Sequence, residues 1–584
     1  MPGQRTIPSE APKTVVTCKV LSNGTEVSQT YHLLSLHIYK EINRIPGATL
    51  VYADGDPAQE TFPLSNAADF IPGASIEIKL GYRGSDSTAF KGIVVKHAIK
   101  IRENGGSVLV IDCRDLAAKM TIACKNKYFK DAKDSDIIEE IIDAYGIDKE
   151  VESTEVTHVQ MVQYNSTDWD FVQCRAEANG LICLANDGKL SIKKPEFSAD
   201  SVLDIQYGAT VLDLDAEIDA RFQYKSVKGA TWDYTNQEIL EDVEAGEPSI
   251  PDAGNLSAAD LADVMGEEQF TLFNGSKMPE PELQQWVNAK MLRHRLSLIR
   301  GKVSTAGTLD VLPGKIITLH GAGERFDGKL FVTAVRHQFE QGDWKTITQF
   351  GIHPEWFAQT YPVQQPLAGA LLPAIQGLQT GIVTQIEGDP DGEERILVRI
   401  PIIHKDDEGA WCRISLPDAG NERGMLFRPE INDEVIVGFI NNDPRHGVVL
   451  GMMNSSSLPA HLPASDDNHE KGYQSRSKMK LIFDDDKKSI LIETPGGHKV
   501  SIDEDAKKIE LEDLHGNKIT MDDNGITIES IKDIILKASA ELKMEAGSNA
   551  TLKGGAQTKV EGGSGAEVSS GGTTNVKGSM VNLN

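Results

Sequence analysis

Two histidines in the C-terminal part of the chain are the residues whose chemistry most readily suggests metal ligands. His498 and His515 lie in the turn sequences PGGHK and LHGNK. A zinc site needs several ligands at characteristic spacings, and a lone histidine in a turn supplies only one. Three copies of the chain could bring their histidines together on an axis, but turn residues face outward. We therefore expect no metal site at either histidine.

A glycine-rich stretch near the C terminus has the composition of a calcium-binding repeat. Residues 562–572 read GGSGAEVSSGG. The calcium repeats of secreted toxins place an aspartate in each glycine-rich turn, and residues 547–584 contain no aspartate. The stretch therefore does not predict a calcium site. The acidic clusters at 484–488 and 503–508 are interpreted as solvated turns, which explains their charge without a ligand.

No motif in the sequence names a catalytic group. The chain lacks the HExxH, phosphate-loop, nucleophile-elbow and dinucleotide-binding patterns. Its cysteines are scattered without a CxxC pair, which indicates free thiols made in a reducing compartment. These cysteines are Cys18, Cys113, Cys124, Cys174, Cys183 and Cys412. We expect a protein that is not an enzyme, with no catalytic residue, no cofactor and no metal.

Charge and length limit the classes of partner. The chain has 584 residues, enough for several domains, and a net charge of -28. Such a charge argues against a nucleic-acid partner, which requires a basic face, and it repels an anionic membrane until contact is forced. The first residues, MPGQRTIPSEAPKT, lack the apolar segment of a signal peptide. We expect assembly in the cytoplasm.

The N-terminal part, residues 1–361, is expected to hold two strand-rich lobes and two helices. Short alternating strands are predicted over 14–128 and again over 301–352. Helices are predicted over 134–145 and 281–299, the second with proline at its start and glycine after its end. Residues 240–280 are acidic and are predicted to be a loop-like insertion whose role the sequence does not assign. Residues 362–378 are rich in Pro, Gly and Ala and are predicted to be a linker.

A compact β module is predicted at 379–456. Five short strands in such a length favour a small barrel of the oligonucleotide/oligosaccharide-binding (OB) type, and its acidic loops argue against phosphate binding. We expect Trp411, like Trp169 and Phe171 further upstream, to be a core residue rather than a base-stacking platform. The connector that follows, 457–479, is too short to hold a lysozyme domain.

The last part, 480–584, is a repeat whose period settles at eight residues. Seven pairs of mostly apolar residues recur at this spacing, and Gly547, Gly555, Gly563 and Gly571 keep the same step. Such a regular pattern indicates structure rather than disorder. The pairs are 526/528, 534/536, 542/544, 550/552, 558/560, 566/568 and 574/576. Their side chains become smaller toward the C terminus, which predicts a narrowing cross-section.

Eight residues are too few for one chain to wind a full three-sided coil. They extend at most about 28 Å. If three chains each contribute one side, every strand edge is paired and the apolar residues are covered. The sequence therefore predicts a mainly β protein with phage-hub-like β-barrel domains and short helices, an OB-fold barrel, and an intertwined trimeric β-helix needle.

The order of these modules, together with several motifs, resembles the VgrG family of spike proteins. This family belongs to type VI secretion and related contractile injection systems, and it fuses the phage tail hub to the cell-puncturing protein. Three regions carry the resemblance. They are QYNSTDWDFVQCRAEANGLICL at 163–184, LPGKIITLHG and FDGKLFVTAVRHQF within 312–339, and RPEINDEVIVGFINNDPRHGVVLGMMN at 428–454. The 240–280 segment has no counterpart in the family pattern. The short N terminus and the MVNLN ending look closer to spikes of extracellular phage-tail-like particles, so both system types remain open.

The resemblance implies a mechanical function. A homotrimer would cap the inner tube, contact the baseplate proteins and puncture the target envelope to deliver effectors, and it would touch membrane only during puncture. It also implies a tip protein of the PAAR-repeat type, for which the expected dock is Met580, Val581, Asn582, Leu583 and Asn584. A trimeric adhesin or receptor-binding fibre is the alternative, and it would carry a signal sequence or anchor.

Overall fold

The computed structural model describes residues 15–103 and 106–583 of the chain. The chain divides into two compact units between Ala374 and Ile375. The strands of the first unit are β1 Val16–Ser22, β2 Thr25–Glu26, β3 Leu33–Glu41, β4 Gly47–Ala53, β5 Ser75–Tyr82, β6 Ser85–Arg102, β7 Gly106–Arg114, β8 Cys124–Lys133, β9 Asp148–Val151, β10 Thr157–Thr167, β11 Ile182–Asn186, β12 Lys189–Lys193, β13 Leu203–Gln206, β14 Asp213–Ile218, β15 Ser226–Asp233, β16 Glu238–Glu244, β17 Gln269–Asn274, β18 Ile299–Ala306, β19 Ile316–His320, β20 Gly328–Glu340 and β21 Asp343–Phe350. Its helices are α1 Asp134–Asp143, α2 Asp168–Ala178, α3 Ala258–Met265, α4 Glu280–Leu296 and α5 Phe357–Thr360.

The second unit contains only strands among its longer elements. They are β22 Gln379–Gln385, β23 Ile396–Arg399, β24 Ala410–Ile414, β25 Ala419–Gly420, β26 Arg423–Gly424, β27 Glu434–Phe439, β28 Gly447–Met452, β29 Glu470–Gln474, β30 Lys480–Asp484, β31 Ser489–Glu493, β32 Lys499–Asp503, β33 Lys508–Glu512, β34 Lys518–Asp522 and β35 Gly525–Glu529. The protein is therefore mainly β, which confirms the predicted fold class.

A 13-stranded sheet forms the framework of the first unit. Its main path runs β14-β18-β21-β20-β3-β4-β7-β6-β5-β1-β2, with β19 and then β13 branching from β20. β3 alternates buried Leu36 and Ile38 with less buried neighbours, which is the period-two pattern of a strand with one covered face. Because β3 pairs with β20, strands from both ends of the first 350 residues lie in one sheet.

Helices α1 and α2 pack on a second core of the same unit. α1 buries Ile137, Ile138, Ile141 and Ile142 on one face. α2 begins after Thr167, whose side chain accepts a hydrogen bond from the Asp170 backbone amide, as an N-cap residue does. The same core contains Trp169 and Phe171, so the prediction that these aromatics are core residues is confirmed.

The prediction that 240–280 is a loop was wrong. The segment contributes most of β16, all of α3 and all of β17, and β16 and β17 flank β15 in a three-stranded sheet. Val243 and Leu272 pack there with Leu283 and Val287 of α4. The many acidic residues of the segment hide this pattern, because its apolar residues form their core with Val227 of β15 and with side chains of α4.

The second unit begins with a closed barrel of five strands in the order β22-β23-β24-β28-β27. Its core is small and contains Val383, Val398, Val435, Val437 and Val449. Trp411, predicted to be a core residue, is only partly buried on β24, since it alternates with buried Cys412, whose side chain points into the barrel.

Beyond the barrel, seven strands form an antiparallel meander in which each strand pairs with the next, from β29 to β35. The final part of the chain, 530–583, contains no strand. Its backbone instead bends at 531–532, 539–540, 547–548, 555–556, 563–564, 571–572 and 579–580. These bends are eight residues apart, so the period read from the sequence appears directly in the backbone.

Candidate assembly interface

The meander from β30 to β35 presents one continuous apolar face. Neighbouring strands pair so that apolar residues stand opposite apolar residues in two parallel rows. The first row is Leu481, Ile492, Val500, Leu511, Ile519 and Ile528; the second is Phe483, Ile490, Ile502, Ile509, Met521 and Ile526. We call these twelve residues the apolar face. They share one side of the sheet because side chains alternate along each strand.

This apolar face is uncovered in the single chain. Phe483 is 43% exposed and Ile526 is 69% exposed, whereas Val437 in the barrel core is fully buried. Exposed apolar patches of this extent mark interaction surfaces in soluble proteins. The apolar face therefore requires a partner surface of similar character.

The opposite face of the meander is polar apart from Ile482 and Leu491, and it is organised around one carboxylate. Glu510, in the middle of β33, is 3% exposed. Its carboxylate oxygens lie 2.8 Å from Lys518 Nζ, 2.9 Å from Lys508 Nζ and 3.7 Å from Lys499 Nζ. Hydrogen bonds from Lys518 and Lys508 lower the pKa of Glu510 to about 2. Three strands are thus tied together on the polar face.

The tail, 530–583, forms no backbone ladder in the single chain, and its few backbone hydrogen bonds are to side chains such as Asn517 and Ser570. In this described range no backbone amide donates to a backbone carbonyl, although buried backbone groups in folded proteins are almost always paired. The apolar residues of the repeat are exposed as well, and Val568 reaches 83%. Strand edges and an apolar stripe left open together require further chains to complete them.

Two corners of the tail, at Gly554 and Gly562, leave no space for a Cβ atom. A Cβ atom built on Gly562 would stand 1.8 Å from the carbonyl oxygen of Gly565, and one on Gly554 would stand 2.4 Å from that of Gln557. Any larger residue would collide with the backbone there. The corner glycines lie immediately before Gly555 and Gly563, which the sequence pattern identified and which face open space.

The expected docking residues at the tip are exposed where they are described. Met580, Val581 and Leu583 are all exposed, Leu583 at 92%, and Asn582 is exposed beside them. Asn584, the fifth predicted residue, lies outside the described residues. The apolar side chains are free for contact in the single chain.

The two histidines that suggested metal chemistry do not meet other ligands. His498 and His515 are exposed in turns, as predicted. Within 15–103 and 106–583 no group of three or more His, Cys, Asp or Glu residues gathers in a way that could hold a metal ion. Over these ranges none of the helices combines the length and the hydrophobicity that a membrane span requires.

One polar cluster in the first unit was not predicted from the sequence. Asp134, buried at the start of α1, accepts hydrogen bonds from Arg175 Nε at 2.6 Å, Arg175 Nη2 at 2.9 Å, Asn179 Nδ2 at 2.8 Å and His158 Nε2 at 3.0 Å. Glu282 of α4 lies 3.3 Å from Arg175 Nη2. Burial alone raises the pKa of Asp134, but these hydrogen bonds outweigh it and hold the pKa well below its usual value. The cluster joins α1, α2, α4 and β10 and serves the fold.

Three family models match the chain. Residues 379–453 match the type VI secretion system/phage-baseplate injector OB domain, and 489–584 match the phage baseplate V C-terminal trimerisation domain. These two modules define a spike protein of the VgrG type, as the sequence resemblance predicted. Residues 12–341, more than half of the chain, match the Alg8 N-terminal domain, and the chain therefore belongs to that family.

Relatives among known proteins agree with the VgrG-type assignment over a short stretch. The type VI secretion system spike protein VgrG1b of Pseudomonas aeruginosa is 30% identical over 122 residues, which cover 19% of this chain and 16% of the relative. VgrG1a of the same organism is 30% identical over 115 residues, 18% of each chain. The chain thus matches less than a fifth of the length of these relatives.

Similar solved structures include tail and secretion proteins. The 43 kDa tail protein of prophage MuSo2 from Shewanella oneidensis covers 58% of this chain and 98% of its own, at 10% identity and a TM-score of 0.44. The Escherichia coli c3393 protein, described as a component of the type VI secretion system, covers 74% of this chain and 100% of its own, at 13% identity and a TM-score of 0.37. The VgrG-type assignment rests on the family matches of 379–453 and 489–584.

Proposed function

We propose that three copies of the chain assemble into the spike and hub of a contractile injection apparatus. The observation that carries this proposal is the apolar face of β30–β35, which continues into the exposed stripe of 530–583, where no backbone amide donates to a backbone carbonyl. Three sheets placed with their apolar faces inward bury both features at once. The match of 489–584 to a trimerisation domain supports three as the number of chains.

In this assembly residues 1–361 form the tube-facing hub, 379–456 the collar, 457–479 a connector, and 480–584 the needle. The hub caps the inner tube and contacts the baseplate, and the needle punctures the target envelope and carries effectors with it. The matches to the injector OB domain and to type VI secretion spikes support this mechanical role. The force comes from the apparatus, so the chain itself needs no catalytic group or cofactor.

The trimer is tested by sedimentation of the purified full-length chain. We expect a mass near three times 63.7 kDa and a needle that resists detergent before heating, because unfolding it requires separating three chains. A folded monomer at micromolar concentration would contradict the proposal. The role in injection is tested separately, with particles assembled without this chain. We expect these particles to form contracted sheaths but no longer to deliver effectors.

We also propose that the C-terminal tip binds a small conical protein of the PAAR-repeat type. Met580, Val581 and Leu583 offer an apolar plateau at the end of the needle, and apolar plateaus at blunt ends are suited to docking. Deleting 579–584 should abolish co-purification of the tip protein while leaving the trimer intact, because the seven repeat pairs lie upstream. Retained binding after this deletion would place the dock elsewhere.

A further inference from the structure

Charged residues on the polar face of β30–β35 lie mainly at the two ends of the strands. At one end lysine and glutamate alternate from strand to strand, and we call these residues the alternating row. The residues at the other end are called the aspartate row. Each row contains one residue from each strand, in chain order. The alternating row is Lys480, Glu493, Lys499, Glu512, Lys518 and Glu529. The aspartate row is Asp484, Ser489, Asp503, Lys508, Asp522 and Gly525.

The two rows of one chain are too far apart to pair along a strand. Lys499 and Asp503, for example, are the first and last residues of β32. Four residue steps in a strand span roughly 13 Å, which exceeds the reach of a salt bridge. Pairing between the rows therefore needs a second copy of the chain.

Threefold symmetry brings the two rows together at every corner of the needle. In a cyclic assembly each contact joins two different surface patches, so the alternating row of one chain meets the aspartate row of the next. When equal strands stand at equal height, four corner pairs have opposite charge: Lys480 with Asp484, Lys499 with Asp503, Glu512 with Lys508, and Lys518 with Asp522. The two remaining levels place Glu493 beside Ser489 and Glu529 beside Gly525, so no level pairs like charges.

We propose that these two rows set the axial register of the three chains, with each strand level with its equivalent in the next copy. If one copy were displaced by one strand against the other two, three like-charged pairs would form at one of its corners and four at the other. Glu493 would then face Asp503, for instance, and Lys499 would face Lys508. Like charges directly opposite each other destabilise strand contacts.

A shift by two strands is opposed by a different effect. It keeps three oppositely charged pairs, but it leaves the apolar residues of two strands in each chain without a partner sheet. Loss of apolar contact therefore disfavours a shift by two strands, and repulsion between like charges disfavours a shift by one strand. Each surface pair is weak by itself, and the discrimination comes from repetition over several levels and three corners.

The lysines of the polar face retain charge for such contacts. Lys499, Lys508 and Lys518 all turn toward the single carboxylate of Glu510 in the isolated chain. Glu512 also stands opposite Lys499 and Lys518 on the neighbouring strands. In the proposed trimer, aspartates of a neighbouring copy add a further partner at the levels of β32 and β34.

This inference rests on the proposed trimer, and a charge-swap cycle separates the two. The full-length chain is prepared as parent, Lys499→Asp, Asp503→Lys and the double variant, and sedimentation and the thermal midpoint of the trimer are measured for each. We expect each single variant to lower the midpoint and the double variant to recover more than the sum of the single effects predicts. Since the two positions are roughly 13 Å apart in one chain, such recovery requires contact between chains.

Lys499→Asp combined with Asp484→Lys is the matched control, because position 484 lies two strands away from the expected level. This pair should show no recovery. A parent that sediments as a trimer but shows no recovery for 499/503, or shows it for 499/484, overturns the register and leaves the trimer standing. A parent that sediments as a monomer contradicts the proposed function itself.

Discussion

The carboxylate of Glu510 lies 2.8 Å from the ammonium group of Lys518 on the neighbouring strand. Lys508, which lies on the same strand as Glu510, adds a second contact at 2.9 Å. This buried contact lies directly behind the apolar face, because Glu510 alternates with Ile509 and Leu511 along β33. The meander therefore carries ion pairs on one side and, on the other, the apolar face that the proposed trimer would bury.

Replacing Glu510 should weaken the meander and change its response to acid. Glu510→Gln removes hydrogen bonds to charged groups, each of which contributes about 1.5–3 kcal/mol, and we expect a loss of about 2 kcal/mol per chain. Because the folded state lowers the pKa of Glu510 to about 2, its contribution is present above the unfolded pKa of about 4.3 and is lost as the pH falls toward 2.

Unfolding by guanidinium at pH 7 and at several values below pH 5 measures this effect. The variant should unfold earlier at neutral pH and lose less stability on acidification than the parent. Glu504→Gln, in an exposed turn, is the control and should match the parent. A Glu510→Gln variant with the parental acid profile would show that the carboxylate does not support the fold.

A charge placed on the apolar stripe of the tail should disrupt the needle. In Val568→Asp three carboxylates would meet in the dry interior of the trimer, where each unpaired ion costs several kcal/mol. We expect a frayed or dissociated needle, seen as loss of detergent resistance. Ser569→Asp introduces the same charge on the opposite side of the chain and should be tolerated. Equal heat stability of both variants would reverse the assumed orientation of the stripe.

Two neighbouring glycines of the tail should differ in their tolerance of alanine. Gly562→Ala places a Cβ 1.8 Å from the Gly565 carbonyl oxygen, whereas Gly563→Ala meets no atom within 4 Å in the single chain. Forcing atoms into such contact typically costs about 1–3 kcal/mol. The thermal midpoint of the trimer should fall more for Gly562→Ala. The opposite order would mean that trimer formation rearranges this corner.

Breaking the buried cluster around Asp134 should destabilise the first unit. Arg175→Leu leaves the Asp134 carboxylate buried without its guanidinium partner, a change that costs about 3–5 kcal/mol for buried pairs. Calorimetry of the full-length chain should show a lower transition for this variant. Adding Asp134→Asn should recover part of the loss, because the stranded charge is removed. A single variant as stable as the parent would indicate that His158 and Asn179 suffice to hold the carboxylate.

Several features of the fold could be predicted from local sequence. The period of eight between Ile526 and Val576 appears as regular bends, and the apolar spacing of α1 and the proline near the start of α4 mark real helices. The loop assigned to 240–280 was wrong, because Val243 stands between acidic residues and because Val243 and Leu272 form their core with side chains of α4. The sequence predicts secondary structure where apolar residues recur at a regular spacing. It does not do so where an element is stabilised by contacts with distant segments.

By itself the sequence determined the mainly β architecture, the order of the modules and the VgrG-type spike assignment, since each depends on periodicity or motifs within short stretches. The tertiary structure decided which charges meet. Asp134 and Arg175 are 41 positions apart, and Lys499 and Lys518 reach Glu510 from two different strands. Such meetings depend on strand register and helix packing. The alternation of Ile509, Glu510 and Leu511 fixes the face that Glu510 occupies, but the lysines that reach it are decided by the pairing of β32, β33 and β34.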